Sequence, residues 1–202
     1  MACKHSTAWT VSPRSHIPLL MDPTRILCLG NEIVCDDGVG VRVGRVIHGL
    51  DLPDGVVVEF SVGLGLELVE SLRPGEQLII VDAMQIGEEP GTCQVMEMSE
   101  VEALAATPFC CHGVGLAEIL KLARELAPER VPRRMAVVGV EAAVLDRFGT
   151  TLSDPIKDAV PGAVATVLRL AGAGDVLVKR GVQRAEELRD WEPDPTDVPG
   201  LE

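Results

Sequence analysis

Arg25-Ile26-Leu27-Cys28-Leu29-Gly30-Asn31-Glu32-Ile33-Val34-Cys35-Asp36-Asp37-Gly38-Val39-Gly40 is the stretch on which the fold turns. Ile26 to Leu29 is an apolar run of strand length that ends at a glycine. Beyond the polar loop, Val39, Val43, Val46 and Ile47 recur at helical spacing up to Gly49. A short buried strand followed by an amphipathic helix is a β-α unit, and the alternation continues along the chain. Val56 to Phe60 predicts a second strand, and Leu66, Leu68, Val69 and Leu72 predict a helix closed by Pro74-Gly75. Leu78-Ile79-Ile80-Val81 predicts a third strand, apolar throughout as a central parallel strand covered on both faces has to be. Gly91 to Met98 reads as a fourth strand; the turn before it is too short for a helical crossover, which makes it a candidate antiparallel edge. Val114, Leu116, Ile119, Leu120 and Leu122 then mark a helix, Met135 to Val140 a fifth strand, and Ile156 to Leu170 a last amphipathic helix. Together these predict an α/β fold, a three-layer α/β/α sandwich around a mostly parallel, twisted five-stranded sheet.

A chain of 202 residues suggests one domain. Residues 1–20 contain no acidic residue and no periodicity and are expected to be a disordered tail or a start-site artefact, with Met21 as an alternative start. Residues 21–175 form the expected domain. Residues 176–202, rich in Glu, Asp and Pro, are expected to be an acidic solvated tail, with a helical turn or two around Arg184 to Trp191.

The composition excludes several function classes. A formal net charge of −13 disfavours nucleic acid, whose binding depends on Lys and Arg displacing condensed counterions, and 2% aromatic residues leave few stacking platforms. The six cysteines include no CxxC pair, and a chain this long and apolar does not need disulfide staples, so reduced thiols and a cytoplasmic setting are expected. No apolar run is long enough to span a bilayer, and Ile17 to Met21 is too short for a signal-peptide core.

In an open parallel sheet the ligand crevice forms outside the carboxyl ends of the strands. After the first strand come Asp36 and Asp37, which taken alone read as helix N-terminal acids stabilised by the helix dipole. Two acids stand where a phosphate would sit and the glycines do not form G-x-G-x-x-G, so a bound nucleotide is not expected. After the third strand comes Asp82, an acid on a buried strand that needs a hydrogen bond, a cation or a cleft. His112, in Cys110-Cys111-His112-Gly113 before a helix, reads alone as a structural histidine. Taken together, Asp37, Asp82 and His112 all fall at the strand-end edge, and two carboxylates with one imidazole make an incomplete cation shell with positions open to water or substrate. Cys110 and Cys111 read as buried fillers or a soft ligand; a nucleophile with its base next in sequence would have the two side chains pointing apart.

Gly30-Asn31-x4-Asp36-Asp37-Gly38-x-Gly40, Asp82-Ala83 and His112 followed by Gly115-Leu116 together resemble the hydrogenase maturation endopeptidases, over about Arg25 to Leu170. The resemblance implies an endopeptidase that removes a C-terminal extension from the large-subunit precursor of a nickel-iron hydrogenase after nickel insertion. It implies that Asp37, Asp82 and His112 match the family's nickel-binding and catalytic positions, that Gly30, Asn31, Asp36 and Gly38 form the supporting loop, and that the nickel belongs to the precursor. A monomer is expected. The chain departs from the usual family pattern at Cys28, at Ser61-Val62-Gly63 and near Cys110. The alternative that the same triad serves is a non-catalytic chaperone that senses metal in a precursor without cutting it.

Overall fold

Each apolar run becomes a strand and each helical period a helix in the computed structural model, which describes residues 22–62, 65–103 and 116–192. The strands are β1 (Thr24–Leu29), β2 (Val56–Ser61), β3 (Gln77–Met84), β4 (Cys93–Glu97) and β5 (Arg134–Glu141). They form one sheet in the order β2-β1-β3-β5-β4, parallel except for the edge pair β4 and β5. The α/β/α sandwich and its antiparallel edge are therefore as the sequence predicts.

The helices are α1 (Val39–His48), α2 (Leu66–Ser71), α3 (Met98–Ala103), α4 (Leu116–Leu126), α5 (Asp154–Leu170) and α6 (Asp175–Glu187). Side chains alternate along a strand, so the central strand β3 supplies both faces. Ile79, Val81 and Ala83 pack with α1, α5 and α6, while Leu78, Ile80 and Met84 pack with α2, α3 and α4. Each fully buried Leu or Ile contributes about 1.5–3 kcal/mol of transfer free energy, and β3 places three of them, Leu78, Ile79 and Ile80, at zero exposure together with Val81, Ala83 and Met84.

Two helices differ from the sequence reading. The predicted fourth strand ends at Glu97, and Met98 starts the short helix α3, where Glu100 accepts a hydrogen bond at 2.8 Å from the N–H of Glu97 just before the helix. Residues 176–192 are not a solvated tail. Helix α6 buries Val178, Gly181 and Ala185, and a Cβ at Gly181 would stand 2.6 Å from Leu168 Cδ1, so α5 and α6 touch nearly backbone to side chain. The helix is locked at its end by Arg42 of α1, which donates to the carbonyls of Leu188 (2.9 Å) and Trp191. The Trp191 ring also lies under the guanidinium groups of Arg42 and Arg45, 4.8 and 5.2 Å from the ring centre. The folded domain thus continues to Trp191. The expectations for residues 1–20, and for the chain beyond 192, lie outside the described residues.

A buried ion pair fixes the start of the sheet. Arg25, 2% exposed at the head of β1, donates to Glu76 from Nε (3.1 Å) and Nη2 (2.7 Å), and from Nη1 to Glu59 and to the Ser71 hydroxyl, both at 3.2 Å. Its charge-assisted fork ties β1, β2, α2 and the turn before β3 at one point.

Candidate active site

Everything that positions the site lies at the carboxyl edge of the sheet. The chain leaves β1 at Gly30, makes a single 3-10 turn over Cys35–Gly38, and enters α1 at Val39. A Cβ at Gly40 would stand 2.2 Å from the Leu29 carbonyl oxygen and 2.5 Å from that of Val81. Only glycine lets the first turn of α1 sit this closely on the seam between β1 and β3. Asp37 lies three residues before Gly40 and Asp82 one residue after Val81, so the fold brings these two carboxylates to the same seam.

Asp37 is 3% exposed, and its Oδ2 accepts the Asn31 N–H at 2.9 Å; Asn31 Oδ1 in turn accepts the Ile33 N–H at 3.2 Å. Asp82 is 2% exposed and its Oδ1 accepts the N–H of Ala83 at 2.8 Å. By strand alternation Asp82 faces the side of the sheet covered by α2, α3 and α4. Helix α4 starts on that face with Leu116, 1% exposed. His112, with Cys110 and Cys111, lies outside the described residues, so of the three expected site residues the structure describes Asp37 and Asp82. Among the described residues no cluster of three or more His, Cys, Asp and Glu side chains is arranged to hold a metal. Cys28, Cys35 and Cys93 are free thiols, and complete burial pushes the Cys28 thiol far above its ordinary range.

The neighbouring acid does different work. Asp36 is fully buried and points away from the seam into the loop between β5 and α5. Its Oδ2 accepts the N–H groups of Ala143 (3.0 Å) and Val144 (2.8 Å) and the Ser153 hydroxyl (2.9 Å), while Oδ1 accepts the Ser153 N–H (2.6 Å). The backbone adds to this tie: Val34 bridges to Gly149, the Cys35 N–H donates to the Gly149 carbonyl at 2.7 Å, and the Gly149 N–H donates to that of Ile33 at 3.1 Å. Cys35 takes up φ +42°, a left-handed conformation rare for a side-chain-bearing residue, inside this network. Because β3 lies between β1 and β5, the joined loops cross the end of β3, where Asp82 stands.

The hydrogenase maturation protease model of the HycI type matches residues 63–170. The hydrogenase expression/formation protein HupD of Rhizobium leguminosarum bv. viciae is 31% identical over 155 residues, covering 76% of this chain and 76% of that protein. HupM of Azotobacter chroococcum is 32% identical over 165 residues, 81% of this chain and 78% of its own. The chain belongs to the hydrogenase maturation protease family. The fold agrees: the hydrogenase maturating endopeptidase HybD of Escherichia coli superimposes with a TM-score of 0.66 at 28% identity, covering 74% of this chain and 94% of HybD.

As a peptidase of the hydrogenase maturation family, the chain needs a group that activates water or polarises a peptide carbonyl. Two desolvated carboxylates at one seam can hold a cation strongly, because each would otherwise bear a desolvation penalty of several kcal/mol on its own. Sequence reasoning did not find the supports of this seam. Ser153 and the backbone of Ala143 and Val144 lie more than a hundred residues from Asp36. Glu32, in the loop itself, is held by a two-pronged ion pair from Arg45 at 3.0 and 2.8 Å. Nothing in a single sequence marks such distant partners; the only signal was that one of two adjacent acids had to point elsewhere.

Proposed function

We propose that this protease removes the C-terminal extension of a nickel-iron hydrogenase large-subunit precursor once nickel has been inserted, and that it recognises the precursor in the cytoplasm through that nickel. The observation that carries the reading is the placement of Asp37 and Asp82, both buried, on the one β1–β3 seam of a chain in this family. Two carboxylate oxygens together with the His112 imidazole form a donor set that suits a borderline divalent ion while leaving positions open for its own ligands. The nickel is substrate, not a resident cofactor. A Lewis acid held between these donors can polarise the scissile carbonyl or acidify a water. Asp37 and Asp82 orient the ion, and Asn31, whose N–H fixes Asp37 Oδ2, orients Asp37.

The test is to incubate the purified chain with nickel-loaded precursor and with nickel-free precursor, and to weigh the products by mass spectrometry. Shortening of the loaded form alone, lost in Asp37→Asn and in His112→Ala with unchanged circular dichroism, supports the proposal. Processing that survives both substitutions overturns it. A precursor bound at unchanged mass would make the chain a metal-sensing chaperone instead.

A further inference from the structure

Eight large apolar side chains stand exposed among the described residues, and their distribution is uneven. Val57 and Val95 lie on the two edge strands, and Leu126 and Val176 at the end of the molecule opposite the site. The other four collect at the carboxyl edge of the sheet: Val62 and Leu66 after β2, Ile33 after β1, and Phe148 after β5. Phe148 is 85% exposed and Ile33 53%, in a chain with only three Phe. They are neighbours, since the residue after Phe148 exchanges hydrogen bonds with Ile33 and Cys35.

The exposure is built in, not the result of a loose loop. The Val34–Gly149 bridge and the four hydrogen bonds to the Asp36 carboxylate hold both loops in place, so Ile33 and Phe148 are presented on a rigid lip that crosses the end of β3 beside Asp37 and Asp82. The charged residues just before Phe148, Asp146 and Arg147, pair with each other at 3.7 Å. Contiguous exposed apolar groups mark binding surfaces, and aromatic residues are enriched at their centres. A preformed lip also loses little conformational entropy on docking.

We propose that this lip, with Ile33 and Phe148 at its centre, is a docking surface for the polypeptide that the protease cuts, and that it grips apolar side chains of that polypeptide next to the nickel-bearing segment. The occupant follows from position: the lip stands at the same strand end as Asp37 and Asp82, to which the polypeptide has to be brought for cutting. The proposal rests on the reading that the chain cuts a hydrogenase precursor, and adds how the precursor is held apart from its metal.

The test measures kcat and KM for the nickel-loaded precursor with the Ile33→Ala/Phe148→Ala double variant, with Phe148→Leu, and with Val176→Ser as a control on the opposite end. The double variant should raise KM about tenfold or more with kcat within about twofold and an unchanged melting temperature, Phe148→Leu should restore most of the loss, and the control should match wild type. The KM increase should persist between about 0.05 and 0.5 M salt, because apolar contact is not screened. Affinity for the loaded precursor is measured in parallel on Asp37→Asn, with and without the lip substitutions. If the precursor binds Asp37→Asn equally well with and without them, or KM is unchanged, the lip proposal falls while the cleavage reading stands. If wild type neither binds nor cuts the precursor, both fall.

Discussion

Asp36→Asn tests whether the second acid of the pair is a structural tie. The carboxylate is fully buried and accepts four hydrogen bonds at 2.6–3.0 Å, three from the backbone N–H groups of Ala143, Val144 and Ser153 and one from the Ser153 hydroxyl. A hydrogen bond to a charged group contributes about 1.5–3 kcal/mol, and these four share one acceptor, so they do not add. Asparagine keeps one oxygen and turns the other into an NH2 donor that faces existing donors. Whichever way the amide is placed, at least one backbone N–H is left facing another N–H in a dry site. The expected loss is about 3–5 kcal/mol, the range found when one member of a buried charged set is removed. For a domain of this size that corresponds to a fall in melting temperature of roughly 6–20 °C. Asp37→Asn, whose amide oxygen can still accept the Asn31 N–H, should melt within about 3 °C of wild type. Thermal melts followed by circular dichroism, with urea titrations to check the slope, measure both. A loss below about 1 kcal/mol for Asp36→Asn would refute the assignment of Asp36 as the tie between the two loops.

Three other perturbations follow from the packing. Glu76→Gln leaves Arg25 buried without its two-pronged partner and should destabilise by about 3–5 kcal/mol in urea unfolding, whereas replacing Arg25 and Glu76 together by apolar residues should recover most of that. A chain ended at Gly174 uncovers Val164 and Leu168 where Gly181 now packs, and should lose at least about 3 kcal/mol by the same measurement or fail to accumulate in soluble form. Gly40→Ala drives a methyl into the carbonyls of Leu29 and Val81, and should give no cooperative thermal transition, since backbone on both strands would have to move.

The sheet was legible in the sequence because its central strands are buried on both faces. Leu78 to Val81 is apolar without a break, and in a parallel sheet that pattern has one main reading. The antiparallel edge followed from connection length alone. Helix α6 escaped because its inward face is made of small residues, Gly181 and Ala185 with Val178, between charged ones, so its composition resembles a tail while its close packing on α5 depends on smallness. Arg25 escaped for the opposite reason: a charged residue at a strand start reads as exposed, and its burial depends on Glu59 and Glu76, which arrive from other elements. Of the candidate site, the strand-end positions of Asp37 and Asp82 were legible from order along the chain. The division of labour between Asp36 and Asp37 was not, because adjacent acids at a helix start look alike until the β5–α5 loop is seen to fold back onto one of them.

The most direct test of the central claim is the mass of a nickel-loaded hydrogenase large-subunit precursor before and after incubation with wild type and with Asp37→Asn. The account predicts that wild type shortens the precursor to a single new mass and that Asp37→Asn, folded and still able to bind it, leaves it whole. Equal shortening by both proteins would contradict the assignment of the β1–β3 seam as the active site.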